Sequence, residues 1–370
     1  MFDGPNVDEV ETSKDELLQF HKQMFTIRRM EIACDSEYKV SRDMIGLRVK
    51  TRIASRLQAR NIRGFCHLYD GQEAVAVGMQ AGLSERDNLI STYRCHALQL
   101  VRGDTVDRIL AELFGFQQGS SGGKGGSMHF YSKKNRFWGG AGIVGAQVPV
   151  GAGLAFADKY LSKGAESMPI SVAMYGDGAA NQGQIWEAAN MSKLWNLPVV
   201  FLCENNQYGM GTSSERSSAN TEYFKQGGVI IPGLKVDGMD ALAVKKAMQF
   251  AKEYCGGGNG PMYMEMKTYR YHGHSMSDPG ITYRNREEVS EMRKTKDCIE
   301  LVKQRLISAE WASEAELKDT EKTIKAEVDE LVAKAKSGTQ PDVDQLDKDI
   351  FLNEMPSIVR MPDNAKTRHY

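Results

Sequence analysis

Residues 169–206 read PISVAMYGDGAANQGQIWEAANMSKLWNLPVVFLCENN, and this stretch decides the fold. An apolar run (PISVAMY, 169–175) ends at Gly176-Asp177-Gly178. A helix-forming segment (NQGQIWEAANMSKLW, 181–195) follows, and a second apolar run (LPVVFLCE, 197–204) ends at Asn205-Asn206. Continuous apolar runs on either side of an amphipathic helix predict a βαβ unit of a parallel sheet covered on both faces, with a right-handed crossover. A further helix (DALAVKKAMQFAKEYC, 240–255) and strand (PMYMEMKTYR, 261–270) repeat the pattern. The expected class is therefore α/β: a doubly wound parallel sheet with helices on both faces.

In open sheets of this kind, ligands collect beyond the carboxyl ends of the strands. Two neighbouring ends deliver Asp177 on one side and Asn205, Asn206 and Tyr208 on the other. The 26 residues between Gly178 and Asn205 suit a turn, a helix and a strand returning to the same edge. A carboxylate and an amide oxygen then converge beside a helix N-terminus, which favours anions. That set suits Mg²⁺ bridging a diphosphate, because this hard cation takes oxygen ligands and shares them with phosphates. Asp177 alone could simply cap the helix; the second strand end argues for a ligand. A dinucleotide fingerprint fails because Asn181 stands where its third glycine belongs.

Upstream, FGFQQGSSGGKGGSMHFYSKKNRFWGGAGIVGAQ (114–147) reads as a long glycine-rich loop able to bring backbone amides close to a phosphate or a ring. It is not a Walker loop, since Gln118 and Gly125 occupy the positions of its first glycine and its Ser/Thr. Residues 12–40 predict an amphipathic helix capped by Thr12 or Ser13. Residues 41–61 are densely basic and suit a solvated helix, a partner or membrane arm, or an insertion. From 285 on, two highly charged helices (285–307 and 314–338) read as peripheral packing or subunit-contact elements. The expected organisation is a helical extension (1–40), a basic insertion (41–61), a ligand-binding α/β domain (62–284) and a helical C-terminal region with a tail (285–370).

Composition narrows the function. The 370 residues are 41% hydrophobic and 26% charged, ample for a sizeable core. Lysine plus arginine at 47 against aspartate plus glutamate at 48 leaves a charge of −1, so no overall basic field points to nucleic acid or an anionic membrane. Cys34, Cys66, Cys95, Cys203, Cys255 and Cys298 form no CxxC pair and read as structural thiols. The longest apolar stretch (143–157) carries Gln147, Pro149 and glycines, too short and broken to span a bilayer. The acidic start, MFDGPNVDEVETSKDE, shows no targeting label.

The GDG and NN pair resembles the thiamine diphosphate motif. YGDGAANQGQIWEA together with CENNQYGMGTSSER is similar to the E1 α subunits of the 2-oxoacid dehydrogenases, and the NQGQ and HGHSMSDPG segments favour the pyruvate-specific branch. FTIRRME, IRGFCHLYDGQEAVAVG, TYRCHA, GKGGSMH, GIVGAQVPVGAG and IPGLKVDGMD carry the resemblance in order across residues 20–295. It implies a thiamine diphosphate-binding fold. Asp177 and Asn206 would bind Mg²⁺ through side chains and Tyr208 through its carbonyl, with the Gly178 and Ala179 amides, Tyr93 and Arg94 at the diphosphate. Gly142 and Val144 would meet the aminopyrimidine end, His67 the substrate, and His274 the diphosphate and the site mouth. His96 and His129 read as structural.

The same resemblance implies an α₂β₂ heterotetramer in which the β subunit supplies the glutamate that activates the cofactor, so this chain is expected to be inactive alone. Its substrate would be pyruvate and its acceptor the lipoyl domain of the E2 acetyltransferase. Ser275 and Ser213 match sites of regulatory phosphorylation, implying a kinase and a phosphatase; Thr282 stands where the family commonly has serine. Location in the mitochondrial matrix is implied, with a bacterial cytoplasm as the alternative. The 41–61 segment departs from the family, which passes quickly from the RRME helix to IRGFCHL, whereas this chain inserts roughly twenty residues there. Rival readings are a branched-chain or acetoin dehydrogenase subunit, or a non-catalytic scaffold of the same fold.

Overall fold

A computed structural model of the chain describes residues 9–39, 61–162, 165 and 167–350, with the backbone of two short strands, Ile358–Arg360 and Thr367–His369. All but Asn61 of the basic segment expected at 41–61 lies outside the described residues. The main sheet contains β1 (Asn88–Thr92), β2 (Phe137–Ala141), β3 (Ser171–Gly176), β4 (Val199–Asn205), β5 (Gly233–Asp237) and β6 (Met262–Lys267). These strands are all parallel, in the order β2-β1-β3-β4-β6-β5. The winding reverses between β1 and β3, which opens a crevice at their carboxyl ends.

The labelled helices are α1 (Lys14–Lys39), α2 (Glu73–Gly82), α3 (His96–Val101), α4 (Val106–Phe114), α5 (Gln147–Leu161), α6 (Gly183–Leu194), α7 (Ala241–Tyr254), α8 (Arg286–Lys296), α9 (Cys298–Ser308) and α10 (Glu314–Lys336). Strand alternation sorts side chains between two cores. Val172 and Met174 of β3, with Val200 and Leu202 of β4, pack toward α1, α2 and α7. Ala173, Tyr175, Phe201 and Cys203 pack toward α5 and α6. Both faces are thus apolar, which is why these strands read as unbroken hydrophobic runs.

Helix α1 begins where Ser13 Oγ accepts the Glu16 amide at 3.2 Å. Its buried stripe, Leu17, Phe20, Met24, Ile27 and Cys34, follows helical spacing, and burying each large side chain contributes about 1.5–3 kcal/mol. The C-terminal helices are more integral than peripheral elements. Val302 and Leu306 of α9, with Leu317, Ile324 and Val328 of α10, share the core of α1 and the sheet. The single helix expected over 285–307 divides at Asp297, whose side chain accepts the amides of Ile299 and Glu300 and so caps α9. All six cysteines are buried and free, and no described helix is long and apolar enough to cross a membrane.

Candidate cofactor and metal site

Strands β3 and β4 stay in register to the pair Gly176 and Glu204, so the Asp177 turn and the Asn205-Asn206 pair leave the sheet at one level. They border an inner chamber of about 330 Å³. Of the residues singled out in the sequence, Tyr93, Arg94, Val144, Asp177, Gly178, Ala179, Asn206, Tyr208 and His274 all line it. An outer chamber of about 830 Å³ carries His67, His129 and Gly142, with Ser275 and Thr282 on its wall. Tyr93, Val144, Met210 and His274 border both spaces. Ser213 lines neither; it belongs to a two-residue hairpin strand and precedes the one-turn helix Ser214–Ser217.

Asp177 is 2% exposed, and burial pushes its carboxyl up to about 6. Its side-chain hydrogen bond is long, 3.4 Å from Ser214 Oγ. Burial outweighs the backbone amides of Asp177 and Asn206, the Arg270 charge and the Ser214 hydroxyl that act on this carboxyl, and an acid so placed in one chamber with Asn206 and Tyr208 fits a divalent cation. The two asparagines separate in role. Asn205 turns away and donates to Glu265 Oε1 at 2.8 Å, whereas Asn206 lines the chamber. Gly178 is favoured sterically: a Cβ there would lie 3.0 Å from the Gly209 Cα, so the two turns pass backbone against backbone.

Arg94 is buried at the chamber wall, and two of the five N–H donors of its guanidinium are held by loop carbonyls. Nη1 donates to the Leu68 carbonyl and Nη2 to the His274 carbonyl at 2.9 Å. The guanidinium therefore braces two loops and supplies fixed positive charge. A second buried cation, Arg270, was not singled out in the sequence. Its Nε donates to Asn206 Oδ1 at 3.2 Å, and its Nη2 to the carbonyls of Tyr208 and Met210 at 3.3 and 2.8 Å.

Sequence reading also missed Glu204 and Glu112. Glu204 is buried in the chamber wall, accepts the Tyr69 hydroxyl, and is pushed up to about 7 by burial. An acid ending the apolar run LPVVFLCE was the available signal. Glu112 organises the glycine-rich segment: Oε2 accepts the amides of Ser121 and Gly123 at 2.8 Å each, and Oε1 those of Gly125 and Gly126 at 2.7 and 3.1 Å. The segment expected as one long loop also contains β2.

At the outer chamber, His67 packs against Tyr93 with ring centroids 4.4 Å apart. Burial, followed by the charge of Arg94, pushes the His67 imidazole down to about 2 and that of His274 to about 3. Both are neutral at physiological pH. His96 sits apart, its Nδ1 3.0 Å from Glu31 and its Nε2 2.8 Å from Ser127 Oγ. Glu31, Cys34 and His96 lie close enough to share an ion, yet both His96 nitrogens already have protein partners.

A doubly wound parallel sheet whose switch-point chamber pairs a buried carboxylate, an amide and a carbonyl with helix-start amides defines a cofactor-binding α/β enzyme subunit. The comparisons make that class specific: the chain belongs to the dehydrogenase E1 component family, whose model matches residues 41–344. It is 55% identical over 343 residues to the Pisum sativum mitochondrial pyruvate dehydrogenase E1 component subunit alpha, covering 93% of this chain and 80% of that relative. It is 50% identical to the Arabidopsis thaliana subunit alpha-1, covering 97% and 86% of the two chains. The somatic form from Sus scrofa is 49% identical, with 97% and 85% covered.

Proposed function

We propose that this chain is the α subunit of a pyruvate dehydrogenase E1 component. In this reading it works with a β subunit and thiamine diphosphate to decarboxylate pyruvate and pass the two-carbon acyl group to the lipoyl group of an E2 acetyltransferase. The carrying observation is the buried Asp177 carboxyl, pushed up by burial, lining one chamber with Asn206 and Tyr208 at adjoining strand ends. Bound thiamine diphosphate supplies the nucleophilic carbon and the electron sink for decarboxylation. This chain's residues bind and orient. Asp177, Asn206 and the Tyr208 carbonyl hold Mg²⁺, while the Gly178 and Ala179 amides and Tyr93 receive the diphosphate, with Arg94 and Arg270 supplying positive charge. Gly142 and Val144 border the path of the aminopyrimidine.

Neutral His67 and His274 offer hydrogen bonds to an anionic 2-oxoacid without adding charge to a chamber already served by arginines. The α₂β₂ assembly is supported by the exposed apolar face of α5 and α6, where Phe156, Tyr160, Leu161, Trp186, Leu194 and Trp195 are solvent-facing. The relatives are named mitochondrial, which supports a mitochondrial site of action, and in this reading the compartment is the matrix.

Regulation by a kinase and a phosphatase would act at Ser275, with Ser213 and Thr282 as further sites. Ser275 is buried, its hydroxyl 2.9 Å from that of Ser277, so a kinase requires the 272–283 loop to swing outward. A phosphate there would add about −1.5 to −2 charge beside His274 and repel an anionic substrate.

The test is reconstitution with a β subunit, thiamine diphosphate and Mg²⁺, followed by CO₂ release from labelled pyruvate and from branched 2-oxoacids. Preference for pyruvate and its loss in Asp177→Ala are expected. Full activity of Asp177→Ala would defeat the metal assignment, and preference for a branched substrate would reassign the enzyme.

A further inference from the structure

An asparagine amide presents an oxygen at one end and an NH₂ at the other, and only the oxygen can ligate a cation. Which end of Asn206 faces the chamber is decided by a chain of buried partners. On one side, Asn206 Nδ2 donates to Gln72 Oε1 at 3.0 Å. Gln72 Nε2 in turn donates to Glu204 Oε1 at 3.4 Å, and the same oxygen accepts the Tyr69 hydroxyl. On the other side, Arg270 Nε donates to Asn206 Oδ1 at 3.2 Å. Arginine has no acceptor, so the atom of Asn206 that meets it must be oxygen. The two sides therefore require the same orientation.

We propose that Gln72 and Glu204, acting against Arg270, form a polarity-setting relay that holds the Asn206 amide with its NH₂ turned inward and its oxygen available to the metal. Gln72, Glu204 and Arg270 are 0%, 3% and 1% exposed, so water cannot substitute for a partner turned the wrong way. Oδ1 has two lone pairs. Arg270 occupies one, and the other remains for the cation. Gln72 and Glu204 are thus positioning residues that act through Asn206. Neither belongs to the GDG and NN motif. Gln72 reaches the site because Gly71, at φ +96°, turns the chain tightly against Tyr269, where a Cβ would lie 2.3 Å from the carbonyl oxygen.

This inference rests on Asn206 being a metal ligand, and the experiment separates the two claims. The assembled complex with its β partner is stripped of metal by chelation. Mn²⁺ is then titrated in the presence of thiamine diphosphate, and free Mn²⁺ is read by electron paramagnetic resonance. Gln72→Met removes both links and is expected to weaken Mn²⁺ binding about tenfold or more, the usual scale for partners that orient a ligand. Raising the metal concentration should recover its activity, a split that a general packing defect would not show.

The exchange Gln72→Glu with Glu204→Gln keeps the net charge and keeps an acceptor at position 72 for Asn206 Nδ2, while the 72–204 link reverses, the new amide donating to the new carboxylate and the Tyr69 hydroxyl turning to accept from that amide. It should bind Mn²⁺ to within about threefold of the parent. Parental affinity in Gln72→Met, or an exchange as weak as Gln72→Met, would overturn the relay. If Gln72→Met does not assemble, the exchange alone decides, and a tenfold loss there sinks the idea. Failure of the parent to bind Mn²⁺ would instead remove the metal-ligand reading on which the relay depends.

Discussion

The imidazoles of His67 and His274 meet edge to face with centroids 5.2 Å apart, and both are held neutral. Two positive rings could not share this space beside Arg94. We expect neither to titrate between about pH 5 and pH 8 in the assembled enzyme, and ¹³C-labelled histidine spectra would show it directly. The linkage sign follows: an unfolded histidine takes up a proton below about pH 6.5, whereas the folded His67 does not, so stability falls as pH drops. For His67, the loss from pH 7 to pH 5 is on the order of 2 kcal/mol. A shift change with a midpoint near 6.5 in either resonance would refute the prediction.

Asp177 shows the opposite behaviour. Its folded carboxyl, pushed up to about 6, binds a proton more tightly than the unfolded chain, so the buried acid erodes stability as pH rises from 3.8 toward 6. Asp177→Asn should raise the stability of the metal-free complex at neutral pH by on the order of 3 kcal/mol, because about two pH units of unfavourable ionisation are removed. Thermal melts with and without Mg²⁺ read both effects. The variant should melt higher without metal and gain nothing from it, and in the parent metal affinity should fall below about pH 6 as a proton competes for the site. A variant less stable without metal would count against this account.

Glu112 gathers four backbone amides of the glycine-rich segment onto one buried carboxylate. Glu112→Gln turns one acceptor oxygen into an NH₂ facing two amides, which should cost about 2–4 kcal/mol. Limited proteolysis should then cut within residues 116–128 faster than in the parent. Equal cleavage rates would show that the segment holds its shape without this carboxylate.

The outer face of α5 and α6 exposes Leu194 at 74% and Leu161 at 79%, with Phe156 and Trp195 meeting edge to face nearby at a centroid distance of 5.8 Å. Exposed apolar side chains gathered on one face mark a protein-interaction surface, which the proposed β subunit would cover. Leu194→Glu should leave the secondary structure intact by circular dichroism and reduce recovery of the heterotetramer on size-exclusion chromatography at least about tenfold, as expected for a charge placed in an apolar interface centre. An undiminished heterotetramer peak would place the assembly contact elsewhere.

Much of this architecture was written locally. The β3-α6-β4 unit was legible because apolar runs and helical periodicity are properties of contiguous residues, and observed boundaries differ from those expected by about two residues. Three strands were not. β2 reads FWGGA inside a glycine-rich stretch, β1 is the short NLIST, and β5 is the half-exposed edge strand GLKVD. Each is a strand through its neighbours more than through its own composition.

The sequence by itself determined the sheet class, the pair of strand ends bearing Asp177 and Asn206, and the family. Tertiary structure alone decided that Asn205 turns away, that Arg94 braces two loop carbonyls, and that Glu112, Gln72, Glu204 and Arg270 form the supporting hydrogen bonds. Periodicity travels along the chain and can be read there. A donor's choice of acceptor depends on groups brought together from 134 positions away, as with Asn206 and Gln72, and exists only once water has been excluded from between them.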